Sequence, residues 1–454
     1  MIVMKFGGTS VDGPERMRGV AAIVRGRQAE RPVVVTSAMA GVTNQLQRLT
    51  ETALAGDRAA MEDEADRLAR RHREAAASIA PSDPALVERI DAHLRELRVL
   101  LRGVRLLGTA TPRSSDQVLG YGELLAQELL AAALRETGAP GRVVDSREVV
   151  ITDDQFGSAR PQLAATRERA RERVAPLVVA GKIPVLGGYL GATPEGIPTT
   201  LGRGGSDLSG SVLGLALDAT AVEIWTDVDG LMTADPRVAP AARVLEQVTF
   251  REAAEMAGFG AKVLHPASID PAIHGGLPVV VRNSLAPERP GTRIGATGST
   301  APAVRAVASR APLQLVALRA PGRLREEGFF AEVLRTVDRP GMQPLAVLPG
   351  PVWLELLIPA DPALAPAIDA LESYGEVRCA PGLALVAVVG EGLAEAPSQW
   401  QRVIAAAGGI PLRRLIQGPH GASLGLLTDE ERAKDLVRAL HRALFEGAPR
   451  EDAR

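Results

Sequence analysis

A single cysteine, Cys379, in a chain of 454 residues excludes an intrachain disulfide. Its neighbours Val377, Arg378 and Ala380 supply no histidine to activate it, so a buried structural thiol is expected. Aromatic residues are scarce at 3%, too few for the stacking platforms that hold single-stranded nucleic acid. A formal net charge of −2 gives no electrostatic basis for a nucleic-acid or anionic-membrane partner. No uncharged run approaches the roughly 18 apolar residues of a membrane span. The start, Met1-Ile2-Val3-Met4-Lys5, lacks the basic-then-apolar pattern of a signal peptide, and a cytoplasmic protein is expected. Six histidines stand without metal-ligand spacing, and no Walker-type glycine-lysine phosphate loop occurs.

What is present is the composition of an ordinary soluble globular protein, 46% apolar and 23% charged. The length exceeds a single core, so two or three domains are expected. Short apolar strands are read at 2–6, 33–35, 143–145, 183–186, 221–225 and 279–281. They alternate with helices at 45–107, 121–133, 161–179 and up to 217. Strands rich in Val and Ile between helices argue an α/β fold with an open, parallel-rich sheet sandwiched by helices. Residues 279–281 read as its last strand. The segment 286–302, dense in Pro, Gly, Ser and Thr, reads as a linker after a catalytic domain at 1–285. Beyond it, 303–454 shows strand and helix signals in two similar rounds, about 312–374 and 376–445, as two small βαββαβ modules.

Two segments carry the chemistry. Lys5-Phe6-Gly7-Gly8-Thr9-Ser10 and Thr199-Thr200-Leu201-Gly202-Arg203-Gly204-Gly205-Ser206-Asp207 each set glycines and hydroxyls beside a charge where a strand yields to a helix. Glycine lets backbone N–H groups approach an oxyanion, and a helix start adds a favourable dipole. Two such cradles suit a polyanionic donor and an anionic acceptor, which points to phosphoryl transfer. Lys5 can neutralise charge on the transferring group; a plain edge lysine is the alternative. Arg203 among glycines suits a bidentate carboxylate contact. Asp207 can orient Lys5, and Ser206-Asp207 can also simply cap a helix. Glu123 stands at a helix start, where a carboxylate is favoured regardless. Thr226-Asp227-Val228-Asp229-Gly230 ends a strand where a nucleotide would lie; an Asp-Gly turn is the alternative. Lys262 can hold donor phosphates, and His265 before a proline reads as structural.

Assembled in this order, these motifs resemble the aspartate kinases of the amino acid kinase family over nearly the whole chain. The anchors are the two segments above with Ser37-Ala38-Met39-Ala40-Gly41-Val42-Thr43-Asn44, Gly122-Glu123, residues 153–157, residues 226–237 and residues 260–266. The resemblance implies transfer of the γ-phosphoryl of ATP, with Mg2+, to the side-chain carboxylate of L-aspartate. That reaction opens lysine, threonine and methionine biosynthesis. It implies catalytic roles for Lys5, Asp207 and Gly8. Ser37, Thr43, Glu123, Arg203 and Ser206 are implied around aspartate, Glu123 meeting its ammonium and Arg203 its α-carboxylate. Lys5, Gly7, Gly8, Thr9, Thr226, Asp227, Met232, Arg237 and Lys262 are implied around MgATP. The C-terminal modules resemble ACT domains, implying an amino-acid effector and a homodimer or higher homo-oligomer. Gly328-Phe329-Phe330-Ala331 fits the first module's helix start.

The chain departs from the family pattern at several points. Met232 stands where an aromatic is frequent, and Gly120 and Ala126 where serines are. Pro349-Gly350-Pro351 and Gly421-Ala422-Ser423-Leu424 replace the polar turns usual in the ACT modules. A sibling kinase acting on glutamate, and a silent amino-acid-binding regulator, are the rival readings.

Overall fold

The computed structural model describes residues 1–260, 266–297, 304–338, 344–418 and 421–446. They form two compact units, one of Met1–Leu231, Glu246–Phe250 and Val263–Gly298, the other of Met232–Leu245, Arg251–Lys262 and Ser299–Arg454.

In the first unit, the strands are β1 (Ile2–Phe6), β2 (Pro32–Thr36), β3 (Gly141–Val143), β4 (Ile183–Gly187), β5 (Leu190–Ala192), β6 (Pro198–Thr200), β7 (Val222–Thr226), β8 (Gln247–Thr249), β9 (Val279–Asn283) and β10 (Thr292–Gly295). Among the described residues, eight of them form one sheet in the order β3-β4-β2-β1-β7-β9-β10-β8. All neighbours in it are parallel except β9 and β10. Every residue of β1, β2 and β4 is buried, as a strand covered by helices on both faces requires. β1 lies between β2 and β7, with Lys5 opposite Val35 on one side and Ile224 on the other. An open α/β sheet binds ligands outside the carboxyl ends of such central strands.

The helical stretch after β2 resolves into Val42–Leu54, Arg58–Ile79 and Pro84–Leu107. Leu86, Ile90, Leu94, Leu97 and Leu101 form the buried stripe of the last, joining one large core with Phe6, Leu46 and Leu68. Tyr121–Glu136 is buried almost all round from Tyr121 to Leu134, so its position beneath the sheet is tightly fixed. The helix read at 161–179 divides at Val174 into Leu163–Arg173 and Ala175–Val179, because Pro176 cannot continue the hydrogen-bond ladder.

A strand, β10, lies inside the segment read as linker, so residues 279–281 are not the last strand of this sheet. Gly291, at φ +76°, turns the chain where a Cβ would lie 2.0 Å from the Val281 carbonyl oxygen. That turn makes the Pro- and Gly-rich composition compatible with a paired strand.

In the second unit, β11 (Ala306–Arg319), β12 (Ala346–Pro349), β13 (Trp353–Pro359), β14 (Glu376–Val389), β15 (Arg414–Gln417) and β16 (Ser423–Asp429) form an antiparallel sheet ordered β12-β13-β11-β14-β16-β15. β11 and β14 are shared along their length. Leu313–Arg319 pairs with β13, whereas Ala306–Arg310 pairs with Leu385–Val389. Two apolar clusters follow that division. One gathers Val316, Phe329, Val333, Leu354 and Leu371; the other gathers Val307, Val386, Val403, Leu424, Leu436 and Leu440. Phe329 opens the helix Phe329–Asp338 and packs edge-on against Tyr374, with ring centroids 5.9 Å apart.

The chain segment after Leu231 packs within this unit. Met232 bridges to Val244, Val307 N–H donates to the Thr233 carbonyl at 2.8 Å, and Thr233 Oγ1 lies 3.0 Å from His441 Nε2. Cys379 is exposed, not buried, because the first half of β14 faces solvent while Leu383–Val389 is covered. Partial burial, then the Asp369 and Glu372 carboxylates, raise its pKa and leave it a poor nucleophile.

Candidate active site

In the first unit β1 carries Lys5, and β1, β2 and β7 lead into residues 7–9, Ser37 and residues 226–227. The chain after β6 carries Arg203, Ser206 and Asp207, and two helices carry Thr43 and Glu123. Lys5 is buried, and its Nζ lies 2.6 Å from Asp207 Oδ1. Asp207 sits in the first turn of the helix Gly205–Ala216 but does not cap it; the N-cap is Gly204, in the left-handed region with no side-chain cap. The alternative reading of Asp207 as a cap is therefore set aside. Gly210 lets this helix approach β1, since a Cβ there would stand 3.3 Å from Lys5 Cβ.

Past Lys5, Gly7 N–H donates to the Trp225 carbonyl at 2.9 Å, and a Cβ on Gly7 would come within 3.9 Å of Lys5 Nζ. Gly8 and Thr9 open a 3-10 turn, so their N–H groups are not consumed by that turn's own bonds. A Cβ on Gly8 would meet the Ala38 carbonyl oxygen at 2.9 Å, which ties this loop to the one after β2. Ser37, in that second loop, donates its N–H to the Phe6 carbonyl at 3.1 Å. Thr43 stands in the first turn of Val42–Leu54, half-buried.

Glu123 is 3% exposed, and its Oε1 accepts from the Ala38 N–H at 3.1 Å. Its Oε2 is buried with no partner. Burial pushes its pKa up to about 8, against the opposing pull of the Ala38 N–H and Lys5. Gly122 permits the approach, for a Cβ there would stand 2.8 Å from Ala38 Cβ.

Arg203 is exposed and has no hydrogen-bond or ion-pair partner among the described residues. Gly202 and Gly204 flank it at φ +72° and +74°, conformations only glycine takes readily. Ser206, half-buried, lies where a Cβ on Gly188 would meet its Cβ at 2.8 Å.

At the end of β7, Thr226 Oγ1 donates to Asp227 Oδ1 at 3.2 Å, and Asp227 is exposed. Asp229 is engaged by Asn283 and Arg289, so it serves the loop's own structure. Met232 and Arg237 belong to the second unit. Met232 is half-buried; Arg237 is exposed and grips Asp235 through Nε and Nη2, the latter 2.6 Å from Oδ2. That pairing raises the Arg237 pKa. Lys262 and His265 lie outside the described residues.

The sequence reading missed Gly187, Gly188, Tyr189 and Asp116. A Cβ on Gly187 would stand 2.9 Å from Glu123 Cβ, and Tyr189 holds φ +67° beside a buried glycine, Gly205. A Gly-Gly pair at the end of a buried strand, as at Gly7-Gly8, was the available signal. Gly120, a departure from the family pattern, is explained by Leu190 Cδ2, which a Cβ would meet at 2.9 Å. Among the described residues, no group of three His, Cys, Asp or Glu side chains is placed to hold a metal ion. No described helix is long and apolar enough to cross a membrane.

Residues 1–283 match the amino acid kinase family. The whole chain is 35% identical to the lysine-sensitive aspartokinase 3 of Escherichia coli, over 98% of this chain and 99% of that one. It is 32% identical to aspartokinase 2, chloroplastic, of Arabidopsis thaliana, over 98% and 85%. Among solved structures, E. coli aspartokinase III in complex with aspartate and ADP superposes with a TM-score of 0.85 at 33% identity, covering 98% of this chain and 100% of that one. The same enzyme with lysine and aspartate gives 0.84 at 33%, covering 98% and 99%. The chain belongs to the amino acid kinase family and, within it, to the aspartokinases.

Proposed function

We propose that this protein phosphorylates L-aspartate on its side-chain carboxylate with MgATP. The observation that carries the reading is Lys5. It is a buried ammonium at the carboxyl end of the central strand, held by Asp207 at 2.6 Å beside two glycines. Phosphoryl transfer needs charge stabilisation on the moving group more than covalent help. A carboxylate acceptor is already a deprotonated nucleophile, so no general base is required.

In this reading Lys5 neutralises developing charge, Asp207 fixes its direction, and the Gly8 and Thr9 N–H groups donate around the phosphates, while Gly7, whose N–H is taken by the Trp225 carbonyl, gives the phosphates room. Glu123 Oε2, buried and unpartnered, would receive the aspartate ammonium. Unpaired Arg203 would take the α-carboxylate, with Ser37, Thr43 and Ser206 completing the aspartate site. Thr226 and Asp227 are assigned to the nucleotide. Mg2+ commonly uses one or two carboxylates and the substrate's phosphates, which suits exposed Asp227. For Met232, Arg237 and Lys262 the nucleotide role rests on the sequence motif alone. The catalytic assignment, expected over 1–285, takes in β10 at Thr292–Gly295 as well and precedes the C-terminal part at 303–454. To that last part we assign an amino-acid effector site and the contacts of a homo-oligomer, and to the whole a cytoplasmic location.

An ATP-consumption assay with aspartate, glutamate and N-acetylglutamate tests this, repeated with lysine, threonine and both. Turnover with aspartate alone is expected; none with aspartate rejects the reading.

A further inference from the structure

Asp116 stands outside every motif used above. It lies on the helix Pro112–Leu119, 2% exposed, and its carboxylate forms no ion pair among the described residues. Its Oδ2 accepts from Thr200 N–H at 2.8 Å and from Gly157 N–H at 2.9 Å, while its Oδ1 accepts from Thr200 Oγ1 at 2.7 Å. A carboxylate this buried is costly to leave in a fold unless its lone pairs are taken up. Here the donors that take them up come from two different segments, a loop and the end of β6.

The loop is residues 153–158, and β6 runs into the glycine-rich segment that carries Arg203. The two are closely packed. Ala159 N–H donates to the Thr200 carbonyl at 2.9 Å, and a Cβ on Gly202 would meet the Gly157 carbonyl oxygen at 3.0 Å. On the far side of Arg203, the Ser268 hydroxyl donates to the Gly204 carbonyl at 2.9 Å. Arg203 therefore sits on a short span fixed at Thr200 and at Gly204. Between those points Leu201 N–H donates to the Tyr189 carbonyl at 2.9 Å, and Gly202 turns the backbone through a left-handed φ of +72°.

We infer that Asp116 is a positioning residue: it pins the loop at Thr200 and so sets where the Arg203 guanidinium meets the acceptor's α-carboxylate. This rests on the aspartate-kinase reading for its functional half and on the hydrogen bonds alone for its structural half. A guanidinium that must make a two-point contact tolerates little displacement, since small misplacements of a binding group can cost on the order of a hundredfold.

Asp116→Ala and Asp116→Asn test it. The asparagine can keep one oxygen for the N–H groups, and Thr200 Oγ1 can turn to accept. The alanine variant is expected to raise KM for aspartate on the order of tenfold while leaving KM for ATP unchanged, with Asp116→Asn recovering most of the loss. A lower melting temperature with unchanged aspartate KM, or an equal rise for both substrates, overturns the inference. Should Asp116→Ala fail to fold, Thr200→Val removes the Oγ1 contacts to Asp116 and to the Tyr189 hydroxyl and is expected to raise aspartate KM by a smaller factor. Tyr189→Phe is the control that removes the second contact alone; no rise beyond that control counts against the inference. Hydrogen exchange supplies the readout free of turnover. Protection is expected to fall in residues 153–158 and 199–207 of either soluble variant and nowhere else; unchanged protection there refutes the anchoring. A wild-type chain that does not phosphorylate aspartate refutes the functional reading separately, because the exchange result stands without it.

Discussion

Glu123 takes the Ala38 N–H with one carboxylate oxygen and leaves the other buried with no partner. With its pKa pushed up to about 8, the group is largely protonated at neutral pH before ligand arrives. An ammonium can pair only with the carboxylate, so aspartate binding releases a proton. Apparent aspartate affinity is expected to fall as pH drops below about 8, approaching at most about tenfold per unit. Binding heats should depend on the buffer's ionisation enthalpy. Glu123→Gln should bind more weakly and lose both dependences. A wild-type profile flat between pH 6 and 8 contradicts this role.

The same burial makes Glu123 a liability to the fold. A carboxyl whose folded pKa lies above its unfolded value contributes stability at low pH that is lost as pH rises from the ordinary carboxylate range towards 8. Glu123→Gln is therefore expected to melt higher than wild type at pH 8 while using aspartate worse. Equal melting temperatures at pH 8 would show that the buried charge carries no cost.

Lys5→Ala should lower turnover on the order of a hundred- to thousandfold, the scale of losing one preorganised charge at a transition state. Asp207→Asn keeps a hydrogen-bond acceptor but removes the charge that holds Lys5 Nζ at 2.6 Å, so its loss should be smaller and lie mainly in kcat. Steady-state kinetics decides; near-wild-type turnover in Lys5→Ala removes the lysine from the mechanism.

These residues were legible in the sequence because each sits at a local junction, a strand end running into glycines. Lys5, Arg203 and Asp207 need only a few neighbours to be recognised. Asp116 was not legible, since its donors lie 41 and 84 positions away and nothing near it marks a site. The C-terminal rounds show the same division. Strand and helix types were readable from their patterns, yet the pairing of Ala306–Arg310 with Leu385–Val389 joins segments that no local signal connects. Cys379 was misplaced because one long strand, β14, is exposed in its first half and buried in its second.

Close packing at two glycines makes a sharper test of the loop after β2 than any charge removal. Gly8→Ala would drive a Cβ to 2.9 Å from the Ala38 carbonyl oxygen, and Gly122→Ala would put one 2.8 Å from Ala38 Cβ. Both push the same residue, whose N–H holds Glu123. Each is expected to cost about 1–3 kcal/mol of stability and to impair aspartate use, with Gly13→Ala as the contrast. Nothing lies within 4 Å of a Cβ there, although its φ of +91° adds backbone strain. If Gly13→Ala raises aspartate KM as much as Gly122→Ala, strain rather than displacement of Ala38 is responsible.

His72, wholly buried in the helix Arg58–Ile79, offers a stability test away from the site. Its Nδ1 lies 2.8 Å from the Leu68 carbonyl oxygen, which can only accept, so Nδ1 carries the proton and Nε2 is a buried lone pair without a partner. Protonating Nε2 would bury a cation with no acceptor, and burial holds the pKa down to about 4. Between about 6.5 and 4 the unfolded chain binds a proton that the folded chain refuses, so stability falls as pH falls through that window. The loss should approach about 3 kcal/mol at its lower end. His72→Leu removes the titrating group and should flatten the decline in unfolding midpoint between pH 6.5 and 4, whatever it does to stability at pH 7. Parallel declines in the two proteins would mean that other groups govern acid unfolding and that His72 is protonated in the fold.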